Sequence, residues 1–189
     1  MEAVPVVERM TAEEFLALPE PELGWPSSLI EGEVVVNDPT MLHGEVQGEL
    51  HRTLANWALA ASGRGKVALP LDVGLDEHNV YKPDVVWYAE GRAPARLDRP
   101  SYPMPDLAVE VRSPSTWRYD LGAKKSGYER HRLPELWLVD TVAETVLVFR
   151  RSRTRATAFD ISLELTREEG LASPLLPGFA LPLAALFPR

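Results

Sequence analysis

Asp106-Leu107-Ala108-Val109-Glu110-Val111-Arg112-Ser113 sets a glutamate inside an apolar run that reads as a strand. A carboxylate there is costly to bury unless something pairs with it. Upstream, Lys82-Pro83-Asp84-Val85-Val86-Trp87 opens another apolar strand on an acid. Its proline is tolerated because an opening residue can do without its ladder hydrogen bond. If the two strands are antiparallel neighbours, the start of one lies beside the end of the other, and Asp84 and Glu110 share one place. Two close carboxylates do not both ionise cheaply, and a hard cation such as Mg2+ resolves that conflict. A second arrangement meets the same pattern: Glu110 pairs with Arg112, which shares its strand face, or with another arginine, while Asp84 caps a turn.

The rest of the chain supplies elements to surround these strands. Thr11-Ala12-Glu13-Glu14 reads as a capping box, and Pro19 and Pro21 stop the helix it starts. Leu29 to Val36 reads as one strand, ended by Asn37-Asp38-Pro39. Between Thr40 and Ala61 the apolar positions Leu42, Val46, Leu50, Leu54, Trp57, Ala58 and Ala61 make a helical stripe. Strands are expected at Lys66–Leu75, Val80–Tyr88 and Asp106–Val111. The long link from Ala89 to Pro105 is a candidate substrate-facing loop. A second helix is expected from Tyr119 to His131, then strands at Leu136–Val139 and Thr145–Phe149. The apolar, proline-interrupted tail from Phe159 to Arg189 suggests a strand or two and a short terminal turn. The expected class is α/β (α+β), a mixed central sheet flanked by helices, with residues 1–189 as one domain.

Composition narrows the chemistry. Cysteine is absent, so thiolate metal sites and cysteine nucleophiles are excluded, and any metal is held by oxygen ligands or histidine. The formal net charge of −8 argues against a protein that coats nucleic acid by electrostatics, though not against local contact with phosphates. No basic stripe and no helix-turn-helix is evident. No apolar run is long enough to span a bilayer, and Met1 to Met10 lacks the apolar core of a signal peptide, so a cytoplasmic protein is expected.

On the second helix Asp120, Lys124 and Tyr128 recur every four residues. Lys124 is one of only four lysines, with Lys66, Lys82 and Lys125. Lysine can polarise a water or a scissile phosphate and can lose its proton, which arginine does not practically do. An exposed ion pair between Asp120 and Lys124 meets the same spacing. Of the histidines only His43 is a functional candidate, for catalysis or for support, and His51, His78 and His131 are expected at the surface.

Pro83-Asp84, the run from Pro105 to Thr116, Asp120 with Lys124 and Tyr128, and Pro134-Glu135-Leu136-Trp137-Leu138-Val139-Asp140 together resemble the Uma-type family of putative restriction endonucleases. Leu29-Ile30-Glu31-Gly32-Glu33 with His43 is similar to its N-terminal signature, and Pro177-Gly178-Phe179 with Leu186-Phe187 to its C-terminal one. The resemblance implies the PD-(D/E)XK nuclease-like fold and a Mg2+ site, with Mn2+ as substitute. By position, Asp84 is the PD acid and Glu110 the acid of the (D/E)XK element, both metal ligands. Arg112 stands where that element has lysine, and Lys124 matches a lysine that the family carries on the following helix. His43 and Glu31 would line the same site. Ser28 stands where the family often has glutamate, and Glu31 where aspartate is common; Glu33 and Glu45 are further acids on that side.

The function expected is a Mg2+-dependent endonuclease acting on DNA, with a homodimer suited to cutting both strands. Two other readings stay open. One is a non-catalytic or regulatory relative, favoured by the missing in-line lysine. The other is a phosphodiesterase acting on RNA, since the metal chemistry is the same.

Overall fold

A computed structural model describes residues 9–19 and 26–187. The reading of Pro21 as a helix stop, and most of the Met1–Met10 segment, lie outside these residues. Helix α1 (Ala12–Ala17) begins at the capping box: Thr11 Oγ1 accepts from the Glu14 N–H at 3.2 Å, and Glu14 Oε2 from the Thr11 N–H at 2.8 Å. The expected strand Leu29–Val36 is instead a hairpin of β1 (Ser27–Ile30) and β2 (Glu33–Val36). It reverses at Glu31 and Gly32, whose φ angles of 50° and 81° are the left-handed pair a two-residue hairpin turn requires.

Helix α2 (Met41–Leu59) follows, capped by Thr40, and buries Val46, Leu50, Leu54 and Trp57 of its expected stripe, while Leu42 and Ala61 at the two ends are exposed. The next two expected strands each break in two. The first becomes β3 (Lys66–Ala68) and β4 (Val73–Asp76), the second β5 (Asn79–Tyr81) and β6 (Val85–Tyr88). Pro70 and Pro83 fall in the breaks, where no backbone N–H is available to continue a ladder. β3 and β6 belong to one sheet, β4 and β5 to another, so the chain changes sheets twice. Asp84 stands at the second change, immediately before β6.

The larger sheet adds β7 (Leu107–Val111), β8 (Glu135–Asp140), β9 (Thr145–Arg150) and β10 (Ile161–Thr166), in the order β10-β9-β8-β7-β6-β3. Within this sheet, among the described residues, only β7 and β8 pair in parallel, and the helical segment between them makes the crossover that parallel pairing needs. That segment runs as α3 (Trp117–Tyr119), a π-helical turn (Asp120–Lys124) and α4 (Lys125–Arg130). The smaller sheet has the order β2-β1-β5-β4, and β11 (Gly170–Leu171) pairs with β12 (Leu181–Pro182) ahead of α5 (Leu183–Leu186).

Alternation along β6 and β7 divides the core. Val85, Trp87, Leu107, Val109 and Val111 pack with α2 and the C-terminal segment. Ala108 on the opposite parity packs with Tyr128, Tyr81 and Ile30. Glu110 shares the parity of Ala108, so it emerges between the larger sheet, the crossover helix and the smaller sheet. The Ala89–Pro105 link is anchored near its C-terminal end, at Tyr102 and Pro103. Tyr102 bridges Val73 and the Tyr88 hydroxyl donates to Pro103 O at 2.8 Å, which ties the link to β4 and β6. Among the described residues, no helix is long and apolar enough to cross a membrane.

Candidate active site

β6 and β7 are antiparallel, with Val85 opposite Val109, so the next step along that register sets Asp84 opposite Glu110. The Asp84 N–H donates to Val109 O at 2.9 Å, and Asp84 Oδ2 accepts from the Val111 N–H at 2.7 Å. The acid is thus fixed by backbone on both sides. Two residues four apart on α2 complete its setting. Gln47 Nε2 donates to Asp84 O at 2.9 Å, and His43 Nε2 lies 3.2 Å from Asp84 Oδ1. Both His43 ring nitrogens are buried without an aligned hydrogen bond.

Glu110 is 3% exposed and meets two donors from the crossover helix. The Tyr128 hydroxyl donates to Oε1 at 2.6 Å, and Lys124 Nζ stands 2.6 Å from Oε2. Lys124 Nζ is also 3.0 Å from Asp120 Oδ1, an oxygen with no well-aligned donor. The expected exposed Asp120–Lys124 pair is therefore a buried one. Four residues overshoot one α-helical turn of about 3.6, so strict α geometry would rotate Asp120, Lys124 and Tyr128 progressively apart. The wider π turn over Asp120–Lys124 offsets that rotation and keeps all three side chains buried towards Glu110.

Asp84, Glu110, Asp120 and Lys124 line the deep part of a recess of about 420 Å³, counting the part that opens to solvent. Three carboxylates here face one ammonium. Burial pushes the Glu110 carboxyl up to about 8; Lys124 opposes the rise, while Asp120 and Asp84 add to it. Burial likewise raises Asp120, against the pull of Lys124. Burial disfavours the Lys124 ammonium, but Asp120 and Glu110 outweigh it and hold its pKa above the ordinary lysine value. The direction is consistent across the cluster: Lys124 stays charged, and its one charge does not neutralise the acids around it. Under-neutralised carboxylate oxygen is the donor chemistry that a hard divalent cation suits. Among the described residues no three His, Asp or Glu side chains are grouped as metal ligands. The fit is thus to a cation held by one or two carboxylates and completed by water and phosphate, as Mg2+ commonly is.

Two expected site residues lie elsewhere. Glu31 is exposed in the hairpin turn, where its N–H donates to Asn79 Oδ1, and it does not line the recess. Arg112 lies past the end of β7 and donates to both Asp140 oxygens, at 2.8 and 2.9 Å, beneath a cation–π contact with Trp117. Glu33 and Glu45 are exposed. Two histidines expected at the surface are half-buried and have partners: His78 Nδ1 lies 3.1 Å from Met10 O, and His131 Nε2 3.1 Å from Asp76 Oδ2. Ser28, Asn37 and Lys82 line the recess unforeseen in that role, as does Thr116. A signal for one of them was present, because Lys82 is one of four lysines and adjoins Pro83-Asp84.

A family model described as Uma2, putative restriction endonuclease, matches residues 12–184. The chain belongs to the Uma2 family. Its fold is similar to a crystal structure of a putative nuclease belonging to DUF820 from Anabaena variabilis ATCC 29413. That likeness has a TM-score of 0.77 at 22% identity and covers 94% of this chain and 97% of the other. It bears out the nuclease-like mixed sheet with flanking helices. No curated protein matches the chain.

Proposed function

We propose that this Uma2-family chain is a Mg2+-dependent endonuclease that hydrolyses DNA phosphodiester bonds. The observation that carries this reading is the convergence of Asp84, immediately before β6, and Glu110, on β7, with Lys124 in one recess. Asp84 and Glu110 would hold the cation. Bound there, it supplies Lewis-acid stabilisation of phosphate charge and lowers the pKa of a water. The protein's own groups do the rest. The Val111 N–H holds one Asp84 oxygen, His43 Nε2 stands beside the other, and Tyr128 fixes the Glu110 carboxylate. Asp120 holds Lys124 beside Glu110 and keeps it protonated. A lysine held charged donates hydrogen bonds to a water or a phosphate oxygen and takes no proton itself. Lys124, held between Glu110 and Asp120, is assigned to positioning a water and stabilising phosphate charge.

The test is cleavage of duplex, single-stranded, branched and modified DNA in magnesium. Asp84→Ala, Glu110→Ala and Lys124→Ala are each expected to lower the rate by about a hundredfold or more. A pure wild-type preparation inactive on all four substrates would sink the proposal. Cleavage confined to RNA would redirect it to that polymer. One observation favours a non-catalytic reading, namely that Arg112 is committed to Asp140 and Lys124 to two carboxylates. Titration calorimetry separates the two: absent magnesium binding, with stability unaltered in Glu110→Ala, supports the non-catalytic reading.

A further inference from the structure

We propose that Lys82 is a phosphate-binding residue at the outer part of the recess, held by Asp72 until an incoming nucleic-acid strand displaces it. The inference rests on the nuclease reading above and adds a substrate contact to it. Three acids line the deep recess, so a phosphodiester entering it meets repulsion unless a cation stands on its path. Two cationic side chains are among the described residues lining the recess, Lys124 and Lys82. They differ in availability. The Lys124 side chain is 6% exposed and bound to two carboxylates, whereas that of Lys82 is 25% exposed with one partner at 3.4 Å.

That partner is a poor one. Asp72 Oδ1 is buried with no hydrogen bond, and burial raises the Asp72 carboxyl despite the opposing charge of Lys82. The pair is a single contact at 3.4 Å between partly exposed side chains, which solvent screens, so exchanging Asp72 for a phosphate costs Lys82 little. The Lys82 backbone is by contrast well placed. Its N–H donates to Ser28 Oγ at 3.1 Å, and two residues on Asp84 is fixed to Val111. The base of the lysine is thus held at a set distance along the chain from the proposed metal ligand, while its ammonium is held by the single contact to Asp72. Asn37, on the same recess, adds a buried Oδ1 without a partner, an acceptor available to a donor on the same strand.

The experiment measures binding of a short DNA duplex by the full chain, silenced with Glu110→Gln in magnesium, across a salt titration. Lys82→Met keeps the aliphatic stem and removes the charge. It is expected to weaken binding severalfold and to reduce the slope of log K against log salt by about one. Lys82→Arg is expected to restore both. Asp72→Asn, which releases the ammonium, is expected to tighten binding. Unchanged affinity and slope in a folded Lys82→Met protein overturn the assignment, and an Asp72→Asn variant that binds no tighter overturns the holding role. In the otherwise wild-type background, Lys82→Met is expected to raise KM with kcat nearly unchanged. Cleavage with a wild-type KM sinks this inference and leaves the nuclease reading standing. A Lys82-dependent salt slope in a chain that cleaves nothing sinks the nuclease reading and leaves the phosphate site. A chain that binds neither DNA nor RNA overturns both.

Discussion

Glu110 has a hydrogen-bond donor at each oxygen, yet burial pushes its carboxyl up to about 8 from an ordinary 4.5. A carboxyl whose pKa is raised by folding binds its proton more tightly in the folded chain than in the unfolded one. Its contribution is present in full below 4.5 and is lost as the pH rises through about 8. Glu110→Gln carries a permanently neutral group of similar shape. We therefore expect the melting temperature of the wild type to fall across that window more steeply than that of Glu110→Gln, measured by circular dichroism without metal. Parallel profiles for the two proteins would show that Glu110 titrates normally. Asp120 is raised for the same first reason, so adding Asp120→Asn should flatten the profile further. These two acids were not equally legible in the sequence. Glu110 stood out because a charge inside Leu-Ala-Val-Glu-Val demands an explanation, and Asp120 only through its spacing from Lys124. Arg112 misled for a physical reason. Strand parity puts it on the face of Glu110, but β7 ends at Val111 and the Arg112 side chain is taken by Asp140 at the end of β8, a neighbour set by sheet order.

The crossover helix is the element that delivers Lys124 and Tyr128, and one glycine sets how closely it approaches. A Cβ at Gly127 would lie 2.2 Å from the Tyr81 hydroxyl oxygen and 2.9 Å from its ring. Tyr81 is fully buried and packs edge-on against Tyr128, with ring centroids 5.1 Å apart, so neither ring has room to retreat. Gly127→Ala must then move the helix or the tyrosine, at a cost of about 1–3 kcal/mol. The Tyr128 bond to Glu110 moves with it, so cleavage should fall as well. Gly122, in the π turn, has nothing within 4 Å of its would-be Cβ. There Ala should be neutral, or stabilising by up to about 1 kcal/mol. Urea denaturation of both variants checks the pair, and equal effects would refute the steric argument. Elements with strong periodicity, such as α2, were legible from the sequence. The strands expected at Lys66–Leu75 and Val80–Tyr88 ran through Pro70 and Pro83, where the chain instead breaks and changes sheets, a change that depends on pairing partners far along the chain. The hairpin at Glu31-Gly32 was missed because glutamate seldom takes a left-handed φ, whereas Asn-Gly or Asp-Gly would have announced it. The π turn has no local sequence signature; packing of Asp120 and Lys124 around Glu110 is its visible correlate.

At the scale of the whole molecule, the acids of the recess are assembled only by folding. Asp84 immediately precedes β6 and Glu110 lies on β7, with Asp120 and Lys124 on the crossover between sheet neighbours. An unfolded chain presents them far apart, so a cation that needs Asp84 and Glu110 together binds the folded state alone and stabilises it by mass action. The formal net charge of −8 does not change this expectation, because non-specific attraction for cations acts on both states and is screened by salt. With free magnesium at tenfold its Kd the gain is about 1.4 kcal/mol. For a chain of this size that raises the melting temperature by roughly 3–6 °C. Sodium chloride at matched ionic strength should give a smaller shift. Asp84→Asn and Glu110→Gln relieve the repulsion in the recess, so each should melt no lower than wild type without metal and lose most of the magnesium response. Arg112→Gln, outside the recess, should keep that response, whatever it loses through Asp140. A full magnesium shift retained in both acid variants would place the cation elsewhere on the molecule, and the metal role of Asp84 and Glu110 would go with it.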